Sequence, residues 1–456
     1  MKITNILSVI DGILLNGDKN LLIDNFSIDS RTITNDDIFI AIKGDKFDGN
    51  KFVIDVLESN AKGVIYDEDI DIDINKYNDK IIIKVKDSIK ALQSLASYKR
   101  SLYNIPVVAI TGSVGKTSTK DIIANVMSKK YNVLKTEGNQ NNHIGLPLTL
   151  LKLKNHDAMC IEMGMNHFKE ISLLTNILKP TIAVITNIGT AHIGNLGSRE
   201  NILKAKLEIL EGLDNNKKVV INNDNDLLHD WYIKEKENYN ITTYGIENES
   251  EYQPYDINYN VDSSTFKIKL DEKEYEFFVH IPGSHFILNS LCALGIGKLL
   301  DIRNEDIIDG IKDFKLSKNR LENIKLDNNI TLISDCYNAN FDSMKASIEI
   351  LGKHNGRKIA VLGDMLELGD YAEELHKKIG KIVELNKIDI LICVGSLSKY
   401  IYNNCNINCK YMCKDNYETV ELLKVIIKTN DTVLFKASNS MNFIDIVNKI
   451  AIILKK

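Results

Sequence analysis

An α/β chain of three domains is implied by three observations. A buried-strand pattern at residues 106–111 runs straight into a glycine-rich turn, apolar strand-length runs alternate with helical periodicity on both sides of it, and the alternation starts afresh near residue 316. Strands separated by helical patterns build parallel sheets with crossover helices. At 456 residues the chain also exceeds one core, on a scale of roughly 100–200 residues per domain.

The parts follow in chain order. Residues 1–85 read as a small α/β N-terminal domain, with residues 36–41 entering a strand and 81–85 closing the segment. A helix over residues 87–103 leads to the strand at 106–111, which empties into Gly112, Ser113, Val114, Gly115, Lys116 and Thr117. Glycines there let successive N–H groups point inward, the following helix adds its positive end, the lysine reaches terminal phosphates and the threonine hydroxyl can ligate magnesium. Ile110 stands where the full phosphate-loop pattern has its first glycine. Ile122, Ile123, Val126 and Met127 share one face of the helix that follows.

With further strands read at 158–161, 181–185 and 218–221, residues 86–316 form a central, P-loop ATPase-like parallel sheet. Residues 240–281 alternate Tyr, Thr, Val and Phe against charges, with a turn signal at 271–273, and read as appended antiparallel strands. Residues 317–456 carry buried-strand candidates at 331–334, 359–362, 388–394 and 432–435 between helices, the pattern of a doubly wound, Rossmann-like C-terminal domain.

Composition narrows the chemistry. A net charge of −5 supplies no general attraction for nucleic acid or an anionic membrane, so an anionic substrate needs its own pocket of positive charge. No apolar run approaches the roughly 18 residues of a membrane span, and Asp11 interrupts the N-terminal apolar stretch without a cleavage site, so a cytoplasmic protein is expected. Seven cysteines spread over three domains fit reduced thiols better than a disulfide framework. Cys405, Cys409 and Cys413 cluster at four-residue spacing, but a metal site there would have only three thiols and no nearby histidine.

Three further groups can do chemistry. The strand at 158–161 ends at Glu162, on the edge where parallel sheets bind ligands, so its carboxylate can hold a divalent ion or simply be solvated. The next strand ends in a polar loop reaching His192, and Lys206 follows on a helix with Lys204 and Glu208. Alone, the histidine reads as a packed or surface residue and the lysines as a solvated face.

Together these segments resemble the Mur ligase superfamily over essentially the whole length. The run GSVGKTS at 112–118 matches its phosphate loop, Glu162 its magnesium glutamate, NIGTAH at 187–192 its second-metal histidine, and Lys206 the lysine that the superfamily carbamylates. DSR at 29–31, DIFIAIKG at 37–44, FDG at 47–49, EGNQNNHIGLP at 137–147, YNAN at 337–340 with Ser343 and Met344, and LGDMLELG at 362–369 resemble the branch that adds D-alanyl-D-alanine to UDP-N-acetylmuramoyl-tripeptide.

That resemblance implies an ATP-dependent amide ligase of peptidoglycan precursor synthesis, using ATP and two Mg2+ and passing through an acyl phosphate. It assigns Lys116, His192 and Lys206 to catalysis, and Thr117, Glu162, His192 and carbamylated Lys206 to metal. Thr111, Gly112, Ser113, Val114, Gly115, Lys116, Thr117, Asn289, Arg320, Asp335 and Asn338 would bind ATP; Asp29, Ser30, Arg31, Lys43, Gly44, Asn139 and Asn142 would bind the UDP-sugar peptide. The implied partners are that peptide and D-alanyl-D-alanine, for a monomer without nucleic acid or membrane span. The family's His-Asn is His285 and Phe286 here, its proline after YNAN is Phe341, its Asp-Asp is Ser334 and Asp335, and its Lys-Gly-Ser-Arg is KASN at 436–439. Two other readings stay open: a related ligase adding a diaminoacid or glutamate, and a regulatory ATP-binding module without transfer chemistry.

Overall fold

The computed structural model describes residues 1–44, 47–316 and 318–455. Its strands are β1 (Ile13–Asn16), β2 (Asn25–Ser27), β3 (Asp37–Ile40), β4 (Gly63–Tyr66) and β5 (Ile81–Lys84) in the N-terminal domain. They form one sheet ordered β1-β5-β4-β3-β2, parallel throughout except for the β1–β5 edge pair. Phe39, Val64, Tyr66 and Ile82 are buried on it beneath Val53, Val56 and Leu57 of the helix Val53–Glu58.

The central domain contributes β6 (Val107–Thr111), β7 (Val133–Lys135), β8 (Ala158–Glu162), β9 (Ile182–Ile185), β10 (Lys218–Asn222) and β11 (Asn240–Tyr244), in the order β11-β10-β9-β6-β8-β7. Every residue of β6, β8 and β9 is buried, which is why these strands read as unbroken apolar runs: helices cover both faces of a parallel sheet. Val107 to Ile110 pair in register with Met159 to Glu162, which sets the carboxyl ends of β6 and β8 side by side.

The expectation of an antiparallel region over 240–281 is corrected in part. β11 joins the six-stranded sheet, and only β12 (Tyr255–Tyr259), β13 (Ser264–Leu270) and β14 (Lys273–Val279) form an antiparallel one. Local alternation does not tell an edge strand of a covered sheet from a hairpin strand; burial of Thr242, Thr243 and Tyr244 does. Phe266 and Phe277, directly opposite in β13 and β14, stack with centroids 4.9 Å apart.

The C-terminal sheet holds β15 (Glu322–Leu326), β16 (Ile330–Ser334), β17 (Arg357–Gly363), β18 (Ile390–Val394), β19 (Cys409–Cys413) and β20 (Asp431–Lys436), ordered β15-β16-β20-β17-β18-β19 and parallel except for β15. The two outer strands, β15 and β19, were not anticipated, because edge strands expose half their residues and lack an apolar run. The spacing of Cys409 and Cys413 is a strand period, and Cys405 precedes them, buried. Among the described residues no helix is long and apolar enough to cross a membrane.

By contact density the chain divides into two compact units. One comprises residues 1–110, 131–183 and 207–218; the other comprises 111–130, 184–206 and 219–456.

Gly63 in β4 faces the backbone of β5 so closely that a Cβ would lie 2.1 Å from the Ile81 carbonyl oxygen, whereas at Gly44 the nearest such contact is 3.7 Å. Gly63→Ala is therefore expected to cost about 1–3 kcal/mol of stability or more, as overpacking does. Thermal unfolding of Gly63→Ala beside Gly44→Ala checks this; equal midpoints would contradict it.

Candidate active site

The phosphate loop is held by its neighbours in the second unit. Gly115 adopts φ +78°, a left-handed conformation that glycine takes without strain, and caps the helix Lys116–Met127. Gly112 leaves no room for a side chain, since a Cβ would come within 1.9 Å of Thr186 Oγ1. Asn187 clamps the turn: its Oδ1 accepts from the backbone N–H of Ser113 at 3.0 Å and of Val114 at 2.9 Å. Ser113 Oγ in turn accepts from the Gly189 N–H at 2.9 Å, and Lys116 Nζ donates to the Gly112 carbonyl at 2.8 Å.

Residues from the helix Ser284–Leu299 and from the C-terminal domain meet this loop. Asn289 Oδ1 accepts from Thr119 Oγ1 at 3.0 Å. Arg320 Nη2 donates to Thr117 Oγ1 at 2.9 Å, with its guanidinium 3.9 Å from the Tyr337 ring centroid, a cation–π contact. Asp335 is buried, ion-paired with buried Lys436 and bonded to Ser347 Oγ at 2.6 Å. Lys436 also donates to the Asn338 carbonyl at 3.1 Å. Arg320 and Asn289 thus reach the loop and its helix, whereas Asp335 and Asn338 are held by Lys436 within the C-terminal domain. Asn439, at the departure from the family's arginine, donates to the Tyr337 carbonyl at 2.9 Å and braces the same turn.

On the β9 side of the loop, His192 takes φ +64° and places Nδ1 2.9 Å from Glu367 Oε2, a contact without an aligned hydrogen bond. The imidazole and then the charge of Lys116 hold the Glu367 carboxyl below its usual range, against the opposing effect of burial. Lys206, on the helix Arg199–Leu207, is 1% exposed and has no hydrogen bond or ion pair among the described residues. Burial, and secondarily the charge of Lys116, push its amine well below the ordinary lysine range, which favours the neutral, nucleophilic form. Asp342, in the first turn of the helix Phe341–Gly352, accepts from the N–H and the hydroxyl of Thr190 at 2.9 and 3.0 Å.

The remaining assigned residues lie in the first unit. Glu162 closes β8 and is 3% exposed; Asn141 Nδ2 donates to its Oε1 at 2.8 Å, and its own N–H donates to Thr136 Oγ1 at 2.9 Å. Asn142 Oδ1 accepts from the N–H of Ile144 and of Gly145 at the start of the helix Gly145–Leu151, and the Asn139 carbonyl accepts from the Asn141 N–H. Asp29 receives two bonds from the exposed Arg31 side chain, at 2.8 and 2.7 Å, and these bring its carboxyl down to about 2. Ser30 lies between them, half-buried. Lys43 pairs with Glu68 at 2.6 Å, beside Gly44, whose N–H bonds the Phe47 carbonyl.

Four residues that the sequence did not single out by role are Asn141, Asn187, Asp342 and Glu367. Three of them sit inside motifs used only for resemblance. Asp342 lies between the YNAN motif and Ser343, and no local pattern distinguishes it from an ordinary first-turn acid.

The family descriptions "Mur ligase family, catalytic domain", "Mur ligase middle domain" and "Mur ligase, glutamate ligase domain" match residues 22–100, 110–297 and 319–439. The UDP-N-acetylmuramoyl-tripeptide–D-alanyl-D-alanine ligase of Bacillus subtilis (strain 168) is 37% identical over 456 residues, covering 98% of this chain and 97% of that protein. The ligase of the same name from Escherichia coli (strain K12) is 30% identical, covering 95% and 96%. A crystal structure of MurF from Acinetobacter baumannii superposes with a TM-score of 0.90 at 27% identity over 99% of this chain and 98% of that one. MurF from Thermotoga maritima in complex with ADP superposes with a TM-score of 0.83 at 28% identity over 94% and 98%.

Burying Lys206 without a counter-charge costs stability wherever the unfolded chain would carry the proton and the folded one does not. That penalty is present at neutral pH and fades as pH rises into the ordinary lysine range. Lys206→Met, measured without bicarbonate, is expected to raise the thermal midpoint at pH 7 by a few degrees, the gain shrinking as pH rises. A gain independent of pH would mean that the amine is solvated or paired.

Proposed function

The chain belongs to the Mur ligase family, and from that premise we propose that it joins D-alanyl-D-alanine to UDP-N-acetylmuramoyl-tripeptide, splitting ATP to ADP and phosphate. The observation that carries this reading is the convergence of Arg320, Asn289 and the anchored Lys116 loop in a chain matching such ligases from end to end. Cytoplasmic peptidoglycan precursor synthesis is the setting we assign to it.

The terminal carboxylate of the tripeptide attacks the γ-phosphorus of ATP, forming a P–O bond as the bond to the β-phosphate oxygen breaks. The amine of the dipeptide then attacks the acyl carbon of the resulting acyl phosphate and expels phosphate. Two anions must first approach one another. Lys116 and the loop N–H groups offset that repulsion, and Arg320 adds a second cation at Thr117. Asn289, Asp335 and Asn338 would hold the adenosine end, and Thr111 to Thr117 the phosphates. Asp29, Ser30, Arg31, Lys43, Gly44, Asn139 and Asn142 would receive the uridine-linked substrate.

Magnesium fits this residue set on one condition. Mg2+ is a hard cation that takes oxygen ligands, and the Thr117 hydroxyl and the Glu162 carboxylate would each offer one of that kind. For a second ion, His192 offers nitrogen and Lys206 as a neutral amine offers no oxygen. Addition of carbon dioxide, with loss of a proton, would turn that buried amine into an anionic oxygen ligand whose charge the neighbouring Lys116 and the cation would balance. Bound there, magnesium would neutralise phosphate charge and orient the attacking carboxylate. An intact-mass gain of one carbon dioxide that disappears in Lys206→Met tests the modification.

Purified protein incubated with ATP, magnesium, UDP-N-acetylmuramoyl-tripeptide and a panel of amines should gain product mass with D-alanyl-D-alanine. Coupling of a diaminoacid or glutamate, or of no amine at all, would overturn the assignment. Lys116→Ala is expected to lower turnover by at least roughly 10²-fold, the scale of one electrostatic stabiliser. Near-normal ligation by that variant would remove Lys116 from the mechanism.

A further inference from the structure

Glu367 belongs to none of the roles assigned above, yet its loop is pressed against the segment that carries His192. The backbone at Glu367 is left-handed, φ +65°, a conformation that a residue with a Cβ rarely takes. Its carbonyl accepts from the Gly194 N–H at 3.3 Å, two residues beyond His192. A Cβ on Gly194 would lie 2.6 Å from the Gly369 nitrogen and 2.8 Å from the Glu367 carbonyl oxygen, so only glycine permits this approach. Tyr371 Oη closes the far end by donating to the Gly197 carbonyl at 2.7 Å. The product of these contacts is a single side-chain encounter, Glu367 Oε2 at 2.9 Å from His192 Nδ1.

An imidazole ligates a cation through one nitrogen only when its proton sits on the other, and a carboxylate at that other nitrogen selects the tautomer and fixes the ring plane. We infer that Glu367 is a positioning residue: its Oε2 lies 2.9 Å from His192 Nδ1, unaligned as the structure stands, and a small turn of the ring lets it accept a hydrogen bond from Nδ1–H and leaves the Nε2 lone pair for the cation. The C-terminal domain thereby completes a ligand of the central domain, and the cation is held properly only when the LGDMLELG loop is seated. This inference rests on the assignment of His192 to the second cation, made under the proposed function.

The test uses the full-length protein with bicarbonate, UDP-N-acetylmuramoyl-tripeptide and a non-hydrolysable ATP analogue, titrated with Mn2+ and followed by electron paramagnetic resonance. His192→Ala, Glu367→Gly and Glu367→Gln are compared with the unaltered chain. Glycine suits the left-handed backbone, so Glu367→Gly removes the carboxylate while leaving the loop its conformation. Glutamine keeps an oxygen that can accept the Nδ1 proton. The expected result is that Glu367→Gly weakens the second Mn2+ by roughly ten- to a hundredfold, the usual effect of losing such a partner, and lowers kcat with the KM for ATP unchanged, while Glu367→Gln restores most of both.

Loss of the second Mn2+ in His192→Ala but full retention in Glu367→Gly would overturn the inference and leave the histidine's assignment standing. Retention in His192→Ala would overturn that assignment itself. Equal impairment of Glu367→Gly and Glu367→Gln would show that the carboxylate acts through its charge or as a latch, and would also overturn the orienting role.

Discussion

Lys206 is an amine taken out of water with nothing to balance it, in a field made worse by the lysine of the phosphate loop. Such a group is costly in any fold, and proteins that retain one do so either by pairing it or by keeping it uncharged. Here no partner is found among the described residues and burial favours the uncharged form. A neutral buried amine is a nucleophile toward carbon dioxide, and the carbamate that results would reverse the sign of the local charge in a region otherwise rich in cations. Beside Lys116 such a carbamate would leave the region with charges of both signs rather than one.

The C-terminal domain is built into this chemistry rather than appended to it. Arg320 touches the hydroxyl of Thr117, Asp342 takes both donors of Thr190, and Glu367 meets His192. Each contact joins a C-terminal residue to the segment that follows a central strand, and two of the three run past a glycine, Gly189 beside the Asp342 carboxylate and Gly194 beside the Gly369 backbone. Asp364 holds its own domain together behind them, accepting from the backbone N–H groups of Ser396, Leu397 and Ser398. The LGDMLELG segment accordingly has a half that braces its own domain, centred on Asp364, and a half that meets His192, centred on Glu367. Departures from the family pattern fall around the same seam. Asn439 braces the Tyr337 turn, and Phe286 is buried beside His285, whose burial lowers its ring to about 4.

Much of this is legible in the sequence. Unbroken apolar runs marked β6, β8 and β9 because strands covered on both faces have no reason to alternate, and Gly115 and Lys116 announced a phosphate loop because the backbone there needs a left-handed turn before a helix. Edge strands were less visible: β15 and β19 are half exposed, and β11 carries an alternation that suited either sheet. Within the site, Asn187 was grouped with the histidine motif but serves as the clamp of the loop, and Asn141, rather than the flanking Asn139 and Asn142, supports Glu162.

The linear order of residues was enough to declare the phosphate-binding turn, the alternating architecture and the ligase kinship, because each is written in contiguous spacing or in short runs whose conformation is set locally. Which carboxylate faces His192, which amide steadies Glu162, and that Lys206 lies buried without a counter-ion emerged only when segments far apart in the chain were packed together. Burial and pairing are properties of neighbours in space, and no window along the sequence contains both members of such a pair.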